Sequence, residues 1–226
     1  MSGEGRFLLI HFTGRVKETG EVFDSTREEV IEEENLSNAT PGPLLVVTGA
    51  DMVWEPVDEA LREAEPGEEL EVEVPPEKAF GERDKGKVRT YPKDAVSPLE
   101  GSLEKDAMVA TPDGVGRVLR VEGGRVVVDF NHPLAGKTLV YEIEVVDELE
   151  DVEDKVEWLV KTLTDGDLEP AEVRVEDGTV VIAFDGIVAG ERWPRIKGSM
   201  AAILLEHCDD VEKVVFEERV ERSEED

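Results

Sequence analysis

Aromatic rings at three places along the chain are the residues best suited to chemistry, and one ring stands beside a single carboxylate. The three segments are Phe12-Thr13-Gly14, Phe23-Asp24-Ser25 and Phe80-Gly81. They hold no nucleophile activated by a neighbouring base, which covalent hydrolysis requires. Rings with one acid are suited instead to gripping an apolar peptide segment.

Other residues that commonly carry catalysis show no useful arrangement. The three histidines, at positions 11, 132 and 207, are far apart and lack the spacing of metal ligands. No glycine-rich phosphate loop and no nucleophile elbow occurs. The single cysteine, Cys208, excludes an intrachain disulfide and is interpreted as a small apolar core residue. The sequence therefore predicts no metal and no cofactor.

The charge of the chain bears on its partners. The 226 residues include 56 acidic and 25 basic ones, for a net charge of −31, and 36% of residues are charged against about 25% in typical proteins. A polyanionic surface repels phosphates, which argues against nucleic acid as a partner. The acids suit either a salty or hot cytoplasm or basic client proteins. Their spread along the whole chain favours the first interpretation.

Nothing in the sequence indicates a membrane. No run approaches the 18 or so apolar residues that span a bilayer. The first residues, Met1 to Arg6, lack the basic start and apolar stretch of a signal peptide. We therefore expect a cytoplasmic protein without a membrane partner.

The first part of the chain is predicted to form the elements that position the rings. A strand over 7–16 leads through a turn at Thr19-Gly20 to a return over 21–23. Another strand follows at 44–48, a helix with one apolar face at 56–64, and an alternating strand at 70–74. The charged stretch 27–35 is either a short surface helix or a loop.

The middle of the chain changes character. A basic, turn-rich stretch over 83–93 precedes a predicted β meander at 108–111, 115–121 and 125–130. A loop over 131–136 and an alternating strand over 139–146 follow.

Beyond residue 148 the pattern predicts a separate unit. It contains a helix over 152–163, a hairpin around Asp177-Gly178, a helix over 196–207 and a strand over 211–216, with a frayed charged tail from Glu217. The order α-β-β-α-β predicts a small sheet with helices on one face.

Several motifs together resemble the FKBP-type peptidyl-prolyl isomerases, and in particular their SlyD-like and long archaeal members. The matching residues are Phe12-Thr13-Gly14, Phe23-Asp24-Ser25, Pro43-Leu44, Gly49, Val53-Trp54, residues 76–81 and residues 131–139. The resemblance implies an α+β fold in which an antiparallel sheet wraps on a short helix. It also implies an isomerase domain (1–83 plus 131–149), an insert-in-flap β domain (84–130) and a C-terminal α-β-β-α-β domain (150–226).

The resemblance implies rotation of X-Pro bonds in an apolar pocket, acting on proline-containing unfolded or nascent polypeptides. The catalytic positions would be Phe12, Phe23, Asp24, Phe80 and Tyr141, and the substrate-binding positions Leu44, Val53, Trp54 and Val57. The backbone N–H of Trp54 would hold a substrate carbonyl. From the residues alone, a core explains the aromatic side chains better than a pocket does, and a turn cap is an alternative for Asp24; the resemblance favours the pocket.

Two positions depart from the family pattern. Val57 replaces the usual tryptophan of the pocket floor, and Phe80 replaces a tyrosine and so lacks its hydroxyl. Both departures weaken the expectation of tight macrolide binding. They also keep open an alternative function, a non-catalytic chaperone or dimeric scaffold with a degenerate pocket.

The resemblance also implies that the insert binds unfolded clients. Four apolar residues of the insert are candidates for this contact: Met108, Val109, Val118 and Leu119. The alternative is that they fill the insert's own core. The C-terminal part, with Trp158 and Trp193, is a candidate for homodimerisation or client binding, or a passive appendage. The tail over 217–226 contains no histidine or cysteine, which argues against a nickel role.

Overall fold

The computed structural model of the protein describes residues 5–188 and 190–220. Predictions for the amino terminus, Met1 to Glu4, and for residues 221–226 of the tail lie outside these ranges. The helices are α1 (Glu28–Glu34), α2 (Glu55–Leu61), α3 (Val152–Leu163) and α4 (Trp193–His207). The strands are β1 (Phe7–Val16), β2 (Val22–Ser25), β3 (Leu44–Val47), β4 (Glu69–Val74), β5 (Val88–Pro92), β6 (Ser97–Pro98), β7 (Met108–Thr111), β8 (Gly114–Glu122), β9 (Arg125–Asp129), β10 (Leu139–Glu148), β11 (Glu172–Glu176), β12 (Thr179–Asp185) and β13 (Lys213–Arg219).

These elements confirm the predicted α+β class, with sheets that are mostly antiparallel and few helices. The charged stretch 27–35, for which the sequence allowed a short helix or a loop, forms helix α1. The helix is capped by Asn35, which has a left-handed conformation with φ 53°. Among the described residues, no helix is long and apolar enough to cross a membrane.

The chain divides into two compact units. The main unit comprises residues 1–15, 19–74 and 140–226, and the insert unit comprises residues 16–18 and 75–139. The predicted division into three domains stays a prediction, and each unit is described below by itself.

The first sheet of the main unit has the strand order β2-β1-β10-β4, with β3 also paired to β1. The first half of β1 pairs with β3, Phe7 opposite Val47, and its second half pairs with β2, Gly14 opposite Asp24. Because side chains alternate across a strand, Phe12 lies on the face opposite to Phe7. We call the Phe12 side the site face.

The other face of this sheet is covered by the C-terminal elements. Phe7, Leu9, Leu45 and Val47 belong to one hydrophobic cluster together with buried residues of α3, α4 and β12, among them Leu159, Ile182, Met200 and Leu204. The residues between them, Leu8 and Val46, are fully buried as well. The paired strands β1 and β3 are therefore apolar on both faces, a pattern of strands covered on both sides.

The C-terminal sheet has the order β11-β12-β13. The predicted hairpin is confirmed, since Asp177 and Gly178 both have positive φ, as a type I′ turn requires. Helix α4 connects β12 to a parallel β13. The prediction of a frayed tail from Glu217 is wrong: Glu217 to Arg219 belong to β13, because they pair with residues 183–185 of β12. Glu217 and Arg219 also form ion pairs with Arg174 and Glu172 of the other edge strand, β11.

The insert carries a five-stranded antiparallel sheet in the order β5-β9-β8-β7-β6. The predicted meander β7-β8-β9 is confirmed, whereas β5 and β6 were not predicted. Strand β5 lies in the basic stretch, and only its pairing with β9, Val88 opposite Asp129, makes it a strand. The buried residues of the insert's hydrophobic core are all valines: Val96, Val109, Val118, Val126 and Val128.

Candidate functional site

Three aromatic rings meet on the site face of the first sheet. Phe12 of β1 and Phe23 of β2 both contact Tyr141 of β10, with centroid distances of 6.0 and 5.8 Å and tilted or edge-on planes. All three side chains are half-buried, so the cluster opens to solvent. We call these three residues the ring cluster. The sheet brings together Phe12 and Tyr141, which are 129 positions apart in the chain.

Gly14 makes this arrangement sterically possible. A Cβ placed on Gly14 would lie 2.5 Å from Cζ of Phe23 and 2.8 Å from its Cε2. Real Cβ atoms do not approach other atoms so closely, and therefore the Phe23 ring lies over bare backbone. Gly14 of the first motif thus leaves the space that the Phe23 ring of the second motif occupies.

Tyr141 connects the ring cluster to the start of α2. Its hydroxyl oxygen accepts a hydrogen bond from the indole Nε1 of Trp54 at 2.9 Å. Trp54 is the N-terminal cap residue of α2, and its carbonyl accepts from the N–H groups of Val57 and Asp58. Burial raises the pKa of Tyr141, the bond from Trp54 opposes this, and the negative charge of Asp24 adds to the rise.

Asp24 is a half-buried carboxyl beside the rings. Burial raises its pKa, and a hydrogen bond from the Ser25 N–H to its Oδ1, at 2.9 Å, acts in the opposite direction. The carboxyl thus makes the local turn contact that was the alternative interpretation. The negative charge of Asp24 also raises the pKa of Tyr141, so the carboxyl interacts electrostatically with the ring cluster.

The apolar candidates lie around the same face. Leu44 pairs with Ile10 and so points to the same side of the sheet as Phe12. Val53 lies half-buried in the loop before α2, and Val57 lies in the first turn of the helix, 3% exposed. Of the predicted residues, the structure connects Phe12, Phe23, Asp24, Trp54 and Tyr141 by contacts or electrostatic interaction.

Phe80 belongs to the insert unit, and its place in the pocket stays a prediction. Its ring stacks on His132, with centroids 3.9 Å apart and planes inclined by 5°. His132 Nδ1 accepts a hydrogen bond from the Leu134 N–H at 3.2 Å, which orients the imidazole. Sequence reasoning missed His132, although the motif over 131–139 contained the signal.

The apolar surface of the insert differs from the predicted one. Val109 and Val118 are fully buried in the insert core, so they are removed from the candidate client surface. Leu119 is half-buried, and Met108 is 47% exposed. Leu99 and Val115, not predicted, are 54% exposed each. We call Leu99, Met108 and Val115 the insert patch.

A groove of about 340 Å³ runs along the insert unit. Met108, Val115, Phe130 and His132 are among the residues that line it. The groove therefore joins two residues of the insert patch to the histidine that stacks on Phe80. Among the described residues, no group of three His, Cys, Asp or Glu side chains is arranged to hold a metal ion.

Residues 1–146 match the family model of the FKBP-type peptidyl-prolyl cis-trans isomerases. The chain is 31% identical over 130 residues to a short-type peptidyl-prolyl cis-trans isomerase of Methanocaldococcus jannaschii, which covers 57% of this chain and 83% of that protein. It is 34% identical over 131 residues to the SlyD isomerase of Treponema pallidum, which covers 57% of this chain and 68% of that protein.

Among solved structures, the three FKBP domains of wheat FKBP73 match 66% of this chain and 40% of that one, at 21% identity and a TM-score of 0.34. The family match ends at residue 146, before the first residue of α3.

Proposed function

The chain belongs to the FKBP-type peptidyl-prolyl cis-trans isomerase family, and we propose that the ring cluster is the pocket in which it rotates X-Pro bonds. The observation that carries the proposal is the meeting of Phe12, Phe23 and Tyr141 beside the half-buried Asp24. Family membership favours an isomerase over the alternative of a non-catalytic scaffold.

The physical task needs no covalent step. The barrier to X-Pro rotation is about 18–20 kcal/mol because the planar amide is stabilised by resonance. The rotated amide has lost this resonance and is less polar, so an apolar surface binds it better than the planar form. Each tenfold acceleration requires about 1.4 kcal/mol of such preference. The rings of Phe12, Phe23 and Tyr141 supply an apolar surface of this kind.

Two groups are proposed to hold and polarise the peptide. The backbone N–H of Trp54 donates to a substrate carbonyl, and the indole bond to Tyr141 holds that residue in place. Asp24 faces the rotating amide with a charge that burial already disfavours, which increases its electrostatic effect on nearby groups. Phe80, whose ring stacks on His132 in the insert unit, stays a predicted catalytic position.

A proline-limited refolding assay tests this proposal. We expect the protein to accelerate the slow phase, and Asp24→Ala and Phe80→Ala to lower kcat/KM by about tenfold or more. Leu205→Ala, an exposed leucine of α4, is the control and should leave the rate unchanged. A wild-type protein that gives no acceleration would refute the proposal.

We propose further that unfolded clients bind to the insert patch. Its three apolar side chains are exposed, and methionine adapts to varied partners. The groove from the patch to His132 offers a bound chain a path toward Phe80. The patch is therefore suited to raising the local concentration of client prolines near Phe80.

Charge substitutions test the client surface. Met108→Lys and Val115→Lys should abolish suppression of aggregation of an unfolded, proline-free client, because a lysine in the patch opposes apolar contact. Val146→Lys is a matched control, since Val146 is 41% exposed on β10 of the main unit. Equal loss in the control and the two insert variants would contradict the assignment.

Homodimerisation through the C-terminal elements also stays a proposal. Helices α3 and α4 already bury apolar residues in the cluster shared with β1 and β3. The sheet edges β11 and β13 are therefore the surfaces left for a second copy. Sedimentation analysis of the full chain measures this directly, and a monomer at all concentrations would contradict it.

A further inference from the structure

The loop between β3 and α2 lies between the site and the C-terminal elements. We call residues 48–54 the site loop. Ala50 and Met52 pack against the hydrophobic cluster that β1 and β3 share with α3 and α4. The next two residues, Val53 and Trp54, are the candidate substrate-binding residues. One short loop thus packs against the shared cluster and also carries two of the candidate site residues.

The last residue of α4, His207, packs directly against the start of this loop. A Cβ placed on Gly49 would lie 3.3 Å from Cε1 of His207, and one placed on Gly5 would lie 2.7 Å from its Nδ1. The imidazole therefore occupies space that two glycines leave open. A Cβ at position 5 would collide with the ring, and one at position 49 would make the ring give by a few tenths of an ångström, so movement of the ring alters the room available to the loop.

Further contacts connect this point to the site. Thr48 exchanges two hydrogen bonds with Arg6, at 2.9 and 3.0 Å, which joins the segment after Gly5 to the site loop. The Gly49 N–H donates to Oδ1 of Asp58 at 2.7 Å, and Asp58 lies in α2, four residues after Trp54. The site loop is thus bonded at its start to the helix that Trp54 caps.

Hydrogen bonding at Nδ1 does not explain the presence of His207. The residue is 7% exposed, and among the described residues Nδ1 is a buried side-chain atom without a hydrogen-bond partner. A buried polar atom without a partner reduces stability. We therefore attribute the effect of His207 on the site loop to the shape of its ring and not to a hydrogen bond from Nδ1.

We propose that His207 is a positioning residue through which α4 holds the site loop, and with it Trp54, in the geometry that the isomerase needs. This inference rests on the proposed function for its catalytic consequence. The structural part, the coupling from α4 to Trp54, does not depend on catalysis.

Two substitutions separate shape from chemistry. His207→Ala removes the ring and should lower kcat/KM by about tenfold, because small displacements of positioning groups are costly to rate. His207→Phe keeps a ring of similar shape and should retain near wild-type kcat/KM, with equal or higher thermal stability. Both are assayed at a temperature where unfolding curves show each variant to be fully folded.

The indole N–H resonance of Trp54, assigned by its loss in Trp54→Phe, provides a readout independent of activity. We expect this resonance to shift in His207→Ala and to stay in place in His207→Phe. Val180→Ala is the control for lost stability alone, because Val180 is fully buried in the same cluster but lies on β12. This control should leave both the resonance and kcat/KM unchanged.

The failures are distinguishable. A wild-type protein without isomerase activity refutes the proposed function, while the indole shift still decides the coupling. An indole resonance and kcat/KM that are unchanged in His207→Ala overturn the inference. Equal losses in His207→Ala and Val180→Ala also overturn it, because they show a general effect of stability.

Discussion

Gly14 shows how a single residue sets the geometry of the site. The Phe23 ring lies where a Cβ on residue 14 would be, and any side chain there must displace the ring from Tyr141. The contact cannot relax through a flexible side-chain end, since the nearest atoms belong to a rigid aromatic ring. The glycine is therefore part of the proposed pocket although it contributes no side chain.

Gly14→Ala should lower kcat/KM by about tenfold through displacement of Phe23. Gly198→Ala is the matched control, because a Cβ on this α4 residue meets no atom within 4 Å. The control should keep activity and gain about 0.5–1 kcal/mol in stability, since alanine is the better helix former. Equal activity of the two variants would contradict the role of Gly14.

Asp24 gives a pH-dependent prediction. Burial raises its pKa in the folded protein, so the folded state binds the proton more tightly than the unfolded state. The stabilising effect of protonation is fully present below the unfolded pKa, about 3.9, and is lost as pH rises through the folded value. The ionised carboxyl therefore opposes folding at neutral pH.

Asp24→Asn should raise the free energy of unfolding at neutral pH while lowering kcat/KM, since Asn keeps the Oδ1 acceptor for Ser25 and removes the charge. The gain should shrink as pH is lowered toward about 4. Denaturant titrations at several pH values measure it. A variant that is less stable than wild type at neutral pH would argue that Asp24 is mainly a turn cap.

At the scale of elements, one buried carboxylate joins the two chain segments that flank the predicted insert, residues 84–130. Asp129 ends β9, pairs with Arg83 at 2.6 Å and accepts hydrogen bonds from Asn131. Burial opposes its ionisation, but the bonds from Asn131 and Arg83 prevail and hold its pKa below the usual range. Arg83 precedes the insert and Asn131 follows it, so this carboxylate joins the two ends of the insert.

Asp129→Ala should destabilise the insert by about 1–3 kcal/mol, because it leaves the donors of Asn131 without their acceptor, whereas the half-exposed Arg83 is solvated by water. Since its pKa is lowered, the contribution is present above the unfolded pKa and is lost as pH falls through the folded value. Hydrogen exchange of β5 and β9 amides measures the effect. Glu100→Gln, on an exposed residue of the insert, is the control; equal exchange in both variants would contradict the prediction.

The paired strands β1 and β3 make the C-terminal elements part of the stability of the whole main unit. Phe7, Leu9, Leu45 and Val47 are buried against the cluster shared with α3 and α4. Each such side chain contributes about 1.5–3 kcal/mol when buried. The match to the family ends at residue 146, whereas this core continues into the following elements.

A chain truncated after residue 149 should therefore aggregate or bind a hydrophobic dye, and its thermal midpoint should fall. Exposure of four apolar side chains costs several times about 1.5–3 kcal/mol, comparable to the stability of a whole domain. Replacing Leu9 and Val47 by threonine in the truncated chain should recover solubility. An unchanged midpoint in the truncated chain would support the predicted independent C-terminal domain.

At the scale of the molecule, charge is distributed unevenly. The insert, residues 84–130, has eight basic and eight acidic residues, so the remainder of the chain carries the whole net charge of −31. Such a field attracts cationic chains and repels anionic ones over about a Debye length. The insert patch is therefore the proposed client surface where an anionic client meets least repulsion.

A cytoplasmic location stays a prediction.

Peptide substrates with lysine beside the X-Pro pair should be turned over with higher kcat/KM than the same peptides with glutamate, by about tenfold at low salt. The two rates should converge near 1 M salt, where the Debye length is about 3 Å. This outcome would support basic clients as one reason for the acidic surface. Equal rates at low salt would leave adaptation to salt or heat as the better explanation.

Local patterns in the sequence predicted the α+β class, the strands of the first sheet, the meander of the insert and the order of the C-terminal elements. They also identified the set of aromatic residues, because motifs and alternation are local properties. The folded structure was needed to show that Val109 and Val118 are core, that His132 stacks on Phe80, and that Phe7 and Val47 share a cluster with residues of α3 and α4. Periodicity shows that a side chain is buried, whereas the partner that buries it depends on contacts between residues far apart in the chain.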